Sequence, residues 1–327
     1  MKKIESFKKI KLDFEILYPL DEICFLDIET TGLSRKHHEI YLIGLLTYEK
    51  NINSFKLTQY FSESVQDEGL ILIEFIEDIN NYKYLISYNG NNFDIPFIKE
   101  KLDKYGIKPF NIESIDLYSV LKKSKDFISF SNFKLKTVEK ELGITREDTF
   151  TGLECIEFYK NYLITRSDSL FNYIINHNKD DLYSMPSLLN VFNIIKENRS
   201  IKLNVLNNKI TLEILTIDHV GDLLLVSGDF TAYNKFLFES YQRQYSVVFK
   251  EDAKFKIKIE LNRARIKEDI AYYVNTNMFE LNNEIIDRSG HKPPNKILIL
   301  RVLKTNILEN IKNLTREIVS KEIQNLI

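Results

Sequence analysis

Four acidic residues in three separated segments have the types and positions expected of metal ligands. Asp27 and Glu29 lie in the segment Phe-Leu-Asp-Ile-Glu-Thr-Thr-Gly, Asp94 lies in Asn-Phe-Asp-Ile-Pro, and Asp181 lies in His-Asn-Lys-Asp-Asp-Leu. Each carboxylate occupies a place where a soluble fold normally has an apolar residue. Carboxylates in such places need a compensating positive charge.

Asp27 and Glu29 close an apolar run over residues 23–26 that is typical of a buried strand. Alternate residues of a strand share a face, so the two carboxylates should point the same way. Side by side at the end of a core strand they would repel each other and lose hydration. A hard divalent metal ion would neutralise them best.

Asp94 follows an Asn-Gly-Asn-Asn turn after a short apolar strand. This turn could bring the Asp94 carboxylate to the sheet edge that presents Asp27 and Glu29. An aspartate in the first turn of a helix is also favoured by the helix dipole alone, without any chemistry. Both interpretations remain open from the sequence.

His177 and Asp181 are four residues apart in a helical stretch and therefore share a face. Asp181 also shares that face with Met185 and Leu188, which points its carboxylate toward the core. Asp180 aligns instead with two serines and should face solvent. The helix therefore selects Asp181 as the functional acid.

Composition sets the outer limits of the prediction. The chain has 327 residues, of which 44% are hydrophobic and 28% charged, values typical of a globular protein of about two domains. No apolar run approaches the roughly 18 residues of a membrane span, and residues 1–20 do not resemble a signal peptide. We therefore predict a cytoplasmic protein that does not contact a membrane. Cys24 and Cys155 should be small buried hydrophobic residues.

The net charge of −2 gives no global sign of a polyanionic partner, so nucleic-acid binding would require a local basic patch. Basic residues flank phenylalanines in one stretch: Lys122, Lys123, Lys125, Lys134, Lys136 and Lys140 surround Phe127, Phe130 and Phe133. The stretch could hold phosphates and stack bases, or it could be solvated with its aromatic rings in the core. Arg263, Arg265 and Lys267 form a second patch, which could touch nucleic acid or be a solvated strand edge.

The order of predicted elements divides the chain. Residues 1–20 form an N-terminal segment, residues 21–199 a first domain and residues 200–327 a β-rich α+β accessory domain of unknown role. In the first domain we predict strands at 23–28, 39–48, 54–61, 85–88 and 114–117, helices at 68–79 and from 92 or 94 to 105, and helices up to 198. A three-strand meander followed by alternating strands and helices is the order of a ribonuclease H-like α/β fold with a mixed sheet.

The accessory domain should consist of consecutive strands and a closing helix. We predict strands at 210–217, 223–230, 245–249, 255–261, 270–274 and 296–302, and a helix at 303–327.

Residues 21–195 resemble the DEDD superfamily of metal-dependent 3′→5′ exonucleases, and most closely its YprB-type ribonuclease H-like family. The resemblance rests on motifs in the family's order: Asp-Ile-Glu-Thr-Thr-Gly at 27–32, Asn-Gly at 89–90, Phe-Asp-Ile-Pro at 93–96, Asp-Leu at 116–117, the segment 135–143, Gly-Leu-Glu at 152–154 and His-Asn-Lys-Asp-Asp at 177–181.

The resemblance implies two Mg²⁺ or Mn²⁺ ions. Asp27 would bind both ions, Glu29 and Asp181 would complete the site of the attacking water, and Asp94 would hold the second ion. His177 would be the general base. Relatives carry either a tyrosine separated from the last aspartate by three residues, or a histidine separated from it by four. This chain has a histidine at the spacing of the tyrosine. A structural role for His177 near the helix end therefore remains open.

The resemblance also suggests residues that contact the substrate. These are Thr30, Thr31, Gly32, Asn89, Asn92, Phe93, Lys134 and Lys136. The turn after Asp27 and Glu29 lies near the terminal nucleotide in the family, although a plain turn would need the same residues. Asp116 is expected to cap the following helix.

The sequence therefore predicts a metal-dependent exonuclease that hydrolyses single-stranded DNA or RNA from the 3′ end, with a single-stranded 3′ end as its partner and no nucleotide cofactor. The alternative is a catalytically silent nucleic-acid-binding or scaffold protein with the same fold. The sequence names no protein partner.

Overall fold

The computed structural model of the protein describes residues 1–146, 150–234 and 236–326. The chain forms two compact units. Unit 1 comprises Met1–Ser124 and Phe130–Asn193, and unit 2 comprises Lys125–Ser129 and Ile194–Ile327. The division thus falls between residues 193 and 194, with a short internal segment assigned to unit 2. The boundary predicted after residue 199 remains a prediction about domains.

Unit 1 contains a six-stranded mixed sheet. Its strands are β1 (Lys2–Lys8), β2 (Ile23–Thr30), β3 (Ile40–Glu49), β4 (Ser54–Phe61), β5 (Tyr84–Ser87) and β6 (Glu113–Asp116), in the order β1-β4-β3-β2-β5-β6. The strands β2, β3 and β4 are an antiparallel meander, and β5 and β6 continue the sheet in parallel. The predicted meander and mixed α/β fold are confirmed.

Unit 1 also contains helices. They are α1 (Glu68–Ile79), α2 (Asp94–Lys104), α3 (Leu117–Lys123), α4 (Leu135–Glu141), α5 (Gly152–Thr165) and α6 (Asp168–Leu188). The helix α7 (Asn190–Arg199) begins in unit 1 and ends in unit 2. The apolar side of α1 is buried through Ile71, Leu72, Phe75 and Ile79, as its periodicity predicts. Cys24 and Cys155 are both buried, as predicted.

The strand β1 lies within the N-terminal segment 1–20, for which no strand is predicted from the sequence. It pairs antiparallel with β4 along its whole length, from Lys2 opposite Phe61 to Lys8 opposite Phe55. Most of its side chains are exposed. Lysines on an edge strand discourage pairing with another chain, so the same charges that obscure the strand in the sequence protect the edge.

Glu68 is a buried polar anchor at the start of α1. Its carboxylate accepts hydrogen bonds from the Ile40 backbone N–H at 2.8 Å, from Lys104 Nζ at 3.0 Å and from the Tyr105 hydroxyl at 2.8 Å. Lys101 Nζ, which is 2% exposed, lies 3.6 Å away. Glu68 therefore joins α1, α2 and the first residue of β3.

We predict that Glu68→Ala lowers the free energy of unfolding by about 3 kcal/mol or more, because it leaves the buried Lys101 ammonium and the Ile40 N–H without this acceptor. Chemical denaturation measures the change. Glu77→Ala on the exposed side of the same helix is the control and should change stability by less than about 0.5 kcal/mol. Equal losses for the two variants would contradict the anchoring role.

Unit 2 contains two antiparallel sheets. The first, in the order β10-β11-β12-β9-β8-β7, consists of β7 (Ser200–Val205), β8 (Asn208–Val220), β9 (Leu223–Ala232), β10 (Phe238–Tyr241), β11 (Tyr245–Phe249) and β12 (Lys254–Glu260). The second consists of β13 (Asn262–Ile266), β14 (Asp269–Asn275), β15 (Ile297–Val302) and β16 (Thr305–Asn306), in that order. The predicted α+β character of this region is confirmed.

The helix α8 (Leu308–Gln324) closes unit 2. It starts later than the predicted helix at 303–327, because residues 305–306 form β16, and Ile327 lies outside the described residues. The hydrophobic core of unit 2 includes Phe127, from the segment Lys125–Ser129. The Phe127 carbonyl accepts a hydrogen bond from Asn198 Nδ2 at 2.8 Å. Among the helices of the described residues, none is long and apolar enough to cross a membrane.

Candidate active site

The C-terminal half of β2 is not paired with β5, and the acids lie at this part of the strand. The strand β5 pairs with β2 only from Ile23 to Phe25. Farther along, the Ile28 backbone N–H donates to Asp94 Oδ1 at 3.1 Å. Asp94 is the first residue of α2, and it meets β2 at the residue between Asp27 and Glu29. The turn before α2 thus brings the third acid to the strand that carries the first two.

Asp27 is oriented by a chain of two buried amides. Asn178 Nδ2 on α6 donates to Asp27 Oδ2 at 2.7 Å. Gln59 Nε2 on β4 donates to Asn178 Oδ1 at 2.8 Å and to the Ile175 carbonyl at 3.0 Å. Because the Asn178 oxygen accepts from Gln59, its amino group must face Asp27. The amides therefore link β4, α6 and β2 at the Asp27 carboxylate.

Gly44 leaves the space in which Asn178 makes this link. In the sheet, Gly44 pairs with Asp27 on one side and with Gln59 on the other. A Cβ atom at position 44 would lie 2.2 Å from Leu182 Cδ1 and 2.4 Å from Asn178 Oδ1. Only glycine lets α6 approach the sheet this closely.

Gly44→Ala should lower the free energy of unfolding by about 2 kcal/mol, because α6 must move away from the sheet. A matched control is Gly152→Ala at the start of α5, where an added Cβ would meet no atom within 4 Å. Thermal or urea denaturation of both variants measures the difference. A stable Gly44→Ala protein would show that α6 is not held against β3 at this point.

Glu29 lies beside His177. His177 Nε2 is 3.6 Å from Glu29 Oε1, and the Tyr41 hydroxyl donates to Glu29 Oε2 at 3.5 Å. His177 and Glu29 are both buried. A carboxylate next to an imidazole can hold its orientation and favour its protonated form.

Asp181 is paired with an arginine that sequence reasoning missed. Arg146, in the loop between α4 and α5, forms an ion pair with Asp181, and its Nη1 lies 3.1 Å from both carboxylate oxygens of Glu139. The Arg146 side chain is 10% exposed and that of Glu139 is 1% exposed. No motif marks an arginine in a loop. The one available signal was electrostatic, since a buried group of acids requires a cation.

Burial and mutual repulsion act on the acids together. Burial raises the pKa of the Asp27 carboxyl well above its usual range, and Asp181, Asp94 and Glu29 add to the rise, while the Asn178 amide opposes it. Burial likewise raises the pKa of Glu29 to about 7, against the effect of His177. Burial raises the pKa of Asp94 to about 7, against the Ile28 N–H. The cluster is therefore short of positive charge.

Four carboxylates form an all-oxygen set of donors, which suits hard divalent cations such as Mg²⁺ and Mn²⁺. Within the residues that the structure describes, no three His, Cys, Asp or Glu side chains are already arranged to hold a metal ion. The residues thus fit such an ion in chemistry and charge, and binding it would require side-chain movement.

The turn predicted to contact substrate follows the acids directly. Thr30 Oγ1 donates to the Gly32 carbonyl at 2.8 Å, and Thr31 Oγ1 donates to the Glu39 carboxylate at 3.0 Å. Arg35, from the same loop, donates through NH2 to the Asn92 carbonyl at 2.7 Å. Sequence reasoning missed Arg35, which joins this turn to the second predicted substrate segment.

The second segment, at 89–93, leads into Asp94. Asn89 has a left-handed backbone (φ 64°), and its N–H donates to Asp116 Oδ1 at 2.9 Å. The Asn92 amide donates to Asn89 Oδ1 at 2.8 Å, and Phe93 is the residue before α2. Asp116 also accepts from the Tyr118 N–H at 3.0 Å, so the expected cap of α3 is confirmed.

The two predicted lysines have described contacts elsewhere. Lys134 is the residue before α4, and its N–H donates to Asn132 Oδ1 at 2.9 Å. Lys136 Nζ donates to the Phe150 carbonyl at 3.0 Å. These contacts do not join either lysine to the four acids.

Comparison with known families bears directly on this arrangement. A model of the RNase H superfamily matches residues 24–193, which include all four acids and the strands and helices that carry them. The chain belongs to the RNase H superfamily. The predicted ribonuclease H-like family is thereby confirmed, and the matched region contains the meander β2–β4 and the helix α6.

Curated relatives match part of the chain. DNA polymerase III PolC-type of Ureaplasma parvum is 28% identical over 37% of this chain and 10% of its own length. DNA polymerase 1 of Aeropyrum pernix is 25% identical over 48% of this chain and 14% of its own. The uncharacterized protein YprB of Bacillus subtilis is 25% identical over 52% and 42%. The chain spans less than half the length of each of these relatives.

Solved structures show low similarity to this chain. The family B DNA polymerase of Pyrobaculum calidifontis has a TM-score of 0.42 and 13% identity, covering 58% of this chain and 28% of its own. Exonuclease I of E. coli in complex with a dA16 oligonucleotide has a TM-score of 0.33 and 13% identity, covering 63% and 54%.

Proposed function

We propose that this protein is a metal-dependent nuclease that removes nucleotides from the 3′ end of single-stranded DNA or RNA. The observation that carries the proposal is the convergence of Asp27, Glu29, Asp94 and Asp181 on the C-terminal half of β2, where burial and mutual repulsion raise the pKa of three of them. Membership of the RNase H superfamily and the polymerase relatives support the proposal.

In this proposal, Asp27 would bind two divalent ions, Glu29 and Asp181 would complete one site, and Asp94 would complete the other. When bound, such ions lower the pKa of an attacking water and offset charge on the attacking and leaving oxygens. Asn178 would keep Asp27 oriented, since it donates to one carboxylate oxygen and leaves the other free of this contact. The Ile28 N–H would do the same for Asp94.

His177 would accept the proton of the attacking water. Imidazoles ordinarily titrate near neutrality, which suits a general base at physiological pH. Glu29, 3.6 Å from His177 Nε2, would stabilise the imidazolium that forms. The contact with Glu29 supports a place for His177 beside the acids despite its tyrosine spacing.

Asp181→Asn is the sharpest test of the acids because its neighbour Asp180 provides a matched control on the same helix. Asp181→Asn should slow release of nucleotides from single strands by roughly a hundredfold or more, because a neutral amide is a poor ligand for a hard cation. Asp180→Asn should hydrolyse at about the wild-type rate. Loss of activity in both variants, or in neither, would contradict the assignment.

Labelled substrates test the direction of hydrolysis and the metal. With Mg²⁺ or Mn²⁺, a 5′-labelled single strand of DNA or RNA should shorten stepwise, and a 3′-labelled strand should release its label as a mononucleotide. EDTA should abolish both reactions. Internal cuts, or activity that EDTA leaves intact, would contradict the proposed mechanism.

His177→Gln should reduce the turnover number by roughly a hundredfold while Mn²⁺ binding stays close to wild type, because the side chain is assigned to the proton and not to the metal. Since relatives carry tyrosine at this spacing, His177→Tyr should retain more activity than His177→Gln. Isothermal titration with Mn²⁺ separates binding from turnover. Unchanged turnover in His177→Gln would leave His177 a structural residue.

A second candidate function is a silent nucleic-acid-binding protein of the same fold. The ion pair of Arg146 with Asp181 favours it, because a guanidinium already neutralises one of the four acids. The two candidates differ in one measurement. A nuclease should bind Mn²⁺ in a way that Asp27→Asn weakens, whereas a silent protein should bind single strands and show no such metal site.

A further inference from the structure

One row of side chains crosses the second sheet of unit 2. Arg263 on β13 pairs with Tyr272 on β14, Tyr272 pairs with Arg301 on β15, and Arg301 pairs with Asn306 on β16. Residues paired directly across strands lie on the same face of a sheet. We call these four residues the arginine–tyrosine row.

The ring of Tyr272 stands between two cations in this row. The guanidinium carbons of Arg263 and Arg301 lie 5.6 and 5.8 Å from the ring centroid. The ring of His219, from the other sheet of the same unit, lies 5.9 Å from the Tyr272 ring. Arginine over an aromatic face keeps its N–H groups available for other partners.

Polar contacts hold the row in place. Arg263 forms an ion pair with Asp222, and both side chains remain about half exposed. Arg301 Nε donates to the Leu303 carbonyl at 2.8 Å. Asn306 Oδ1 shares a hydrogen bond of 2.9 Å with His219 Nε2. These contacts fix the side chains of the row in place, and its outer groups are still exposed to solvent.

Charged side chains of both signs surround the row. Arg265 and Lys267 follow Arg263 at alternate positions along the chain, and both are exposed. Arg265 pairs with Ile270, which is also exposed, and so extends the same face. The acids nearby are Asp222, already paired with Arg263, Asp126, whose carboxylate accepts from Asn306 Nδ2 at 3.2 Å, and Glu268 and Asp269 at the hairpin turn. The face thus combines several exposed cations with an exposed apolar group.

We propose that this face of unit 2 binds single-stranded nucleic acid. Guanidinium groups bind phosphates through several N–H donors, and guanidinium planes stack on unpaired bases. Bases in a duplex are already stacked, which favours a single strand. With a net chain charge of −2, binding of a polyanion depends on a local patch of this kind.

The inference rests on the proposed function in one respect: the strand held by unit 2 is the substrate that unit 1 hydrolyses. Holding a strand on one unit of the chain raises its concentration at the other unit, so long strands should be degraded more efficiently than short ones. A substrate too short to reach unit 2 would gain nothing from the row.

Arg263→Gln combined with Arg265→Gln tests the cations in the full chain. In EDTA, fluorescence anisotropy with labelled single-stranded DNA and RNA should show roughly tenfold weaker binding at low salt. The slope of log Kd against log salt concentration should fall by about 1.4, or about 0.7 for each lost phosphate contact.

Tyr272→Leu tests the ring. It should weaken binding roughly fivefold, because the guanidinium groups of Arg263 and Arg301 lose the ring that positions them. Tyr272→Phe keeps a ring and should bind like wild type, which separates this effect from any loss of fold. Circular dichroism of each variant checks that unit 2 stays folded.

The matched control is Lys256→Gln combined with Lys258→Gln. These exposed lysines lie at alternate positions of β12 in the same unit, so the control removes the same charge from another surface. It should bind almost as tightly as wild type. Equal losses for both double variants would mean diffuse attraction, and no loss in Arg263→Gln/Arg265→Gln would mean a solvated strand edge; either result overturns the proposal.

Hydrolysis of p-nitrophenyl thymidine 5′-phosphate distinguishes this inference from the proposed function. The small ester should be hydrolysed equally by wild type and Arg263→Gln/Arg265→Gln, whereas hydrolysis of long strands should fall in the variant. If the ester and all strands resist hydrolysis while the row still governs binding, the nuclease proposal fails and the binding surface stands. If hydrolysis is normal and binding does not depend on the row, only the proposal of a binding surface on unit 2 is wrong.

Discussion

Like charges buried at the end of one strand are the constraint on which the rest of unit 1 depends. Each acid has a different partner. Asp27 accepts from an amide of α6, Glu29 lies beside a histidine and a tyrosine hydroxyl, Asp94 accepts from the backbone of β2, and Asp181 meets the guanidinium of Arg146. None of the first three partners has a fixed positive charge. The fold therefore tolerates the cluster through hydrogen bonds and leaves most of the charge for a cation to neutralise.

The geometry of that cluster depends on close packing of α6 against the sheet. A glycine at position 44 creates a gap between Asp27 and Gln59, and the amide of Asn178 fills it. The same helix carries His177 and Asp181, so its position along the sheet fixes three side chains at once. A shift by one residue would rotate all of them away from β2, since successive residues on a helix are about 100° apart.

Local sequence patterns predicted the features that depend on residues close together in the chain. Alternation in β2 placed Asp27 and Glu29 on one face, and helical periodicity distinguished Asp181 from Asp180. The contact of Arg146 with Asp181 and the link from Gln59 to Asn178 were not predictable in this way, because they join residues far apart in sequence and depend on register. The strand β1 was missed for a different reason: its lysines suit an edge strand but do not alternate with buried apolar residues.

The internal segment Lys125–Ser129 has a consequence for the order in which the protein can fold during synthesis. Phe127 belongs to a core whose other members come from residues 201 and beyond, and its carbonyl is bound by Asn198. When the ribosome has made most of unit 1, this phenylalanine still lacks its neighbours. It must stay in water, or pack transiently elsewhere, until unit 2 emerges. Residues from 198 onward therefore complete the surroundings of a loop that was translated before them.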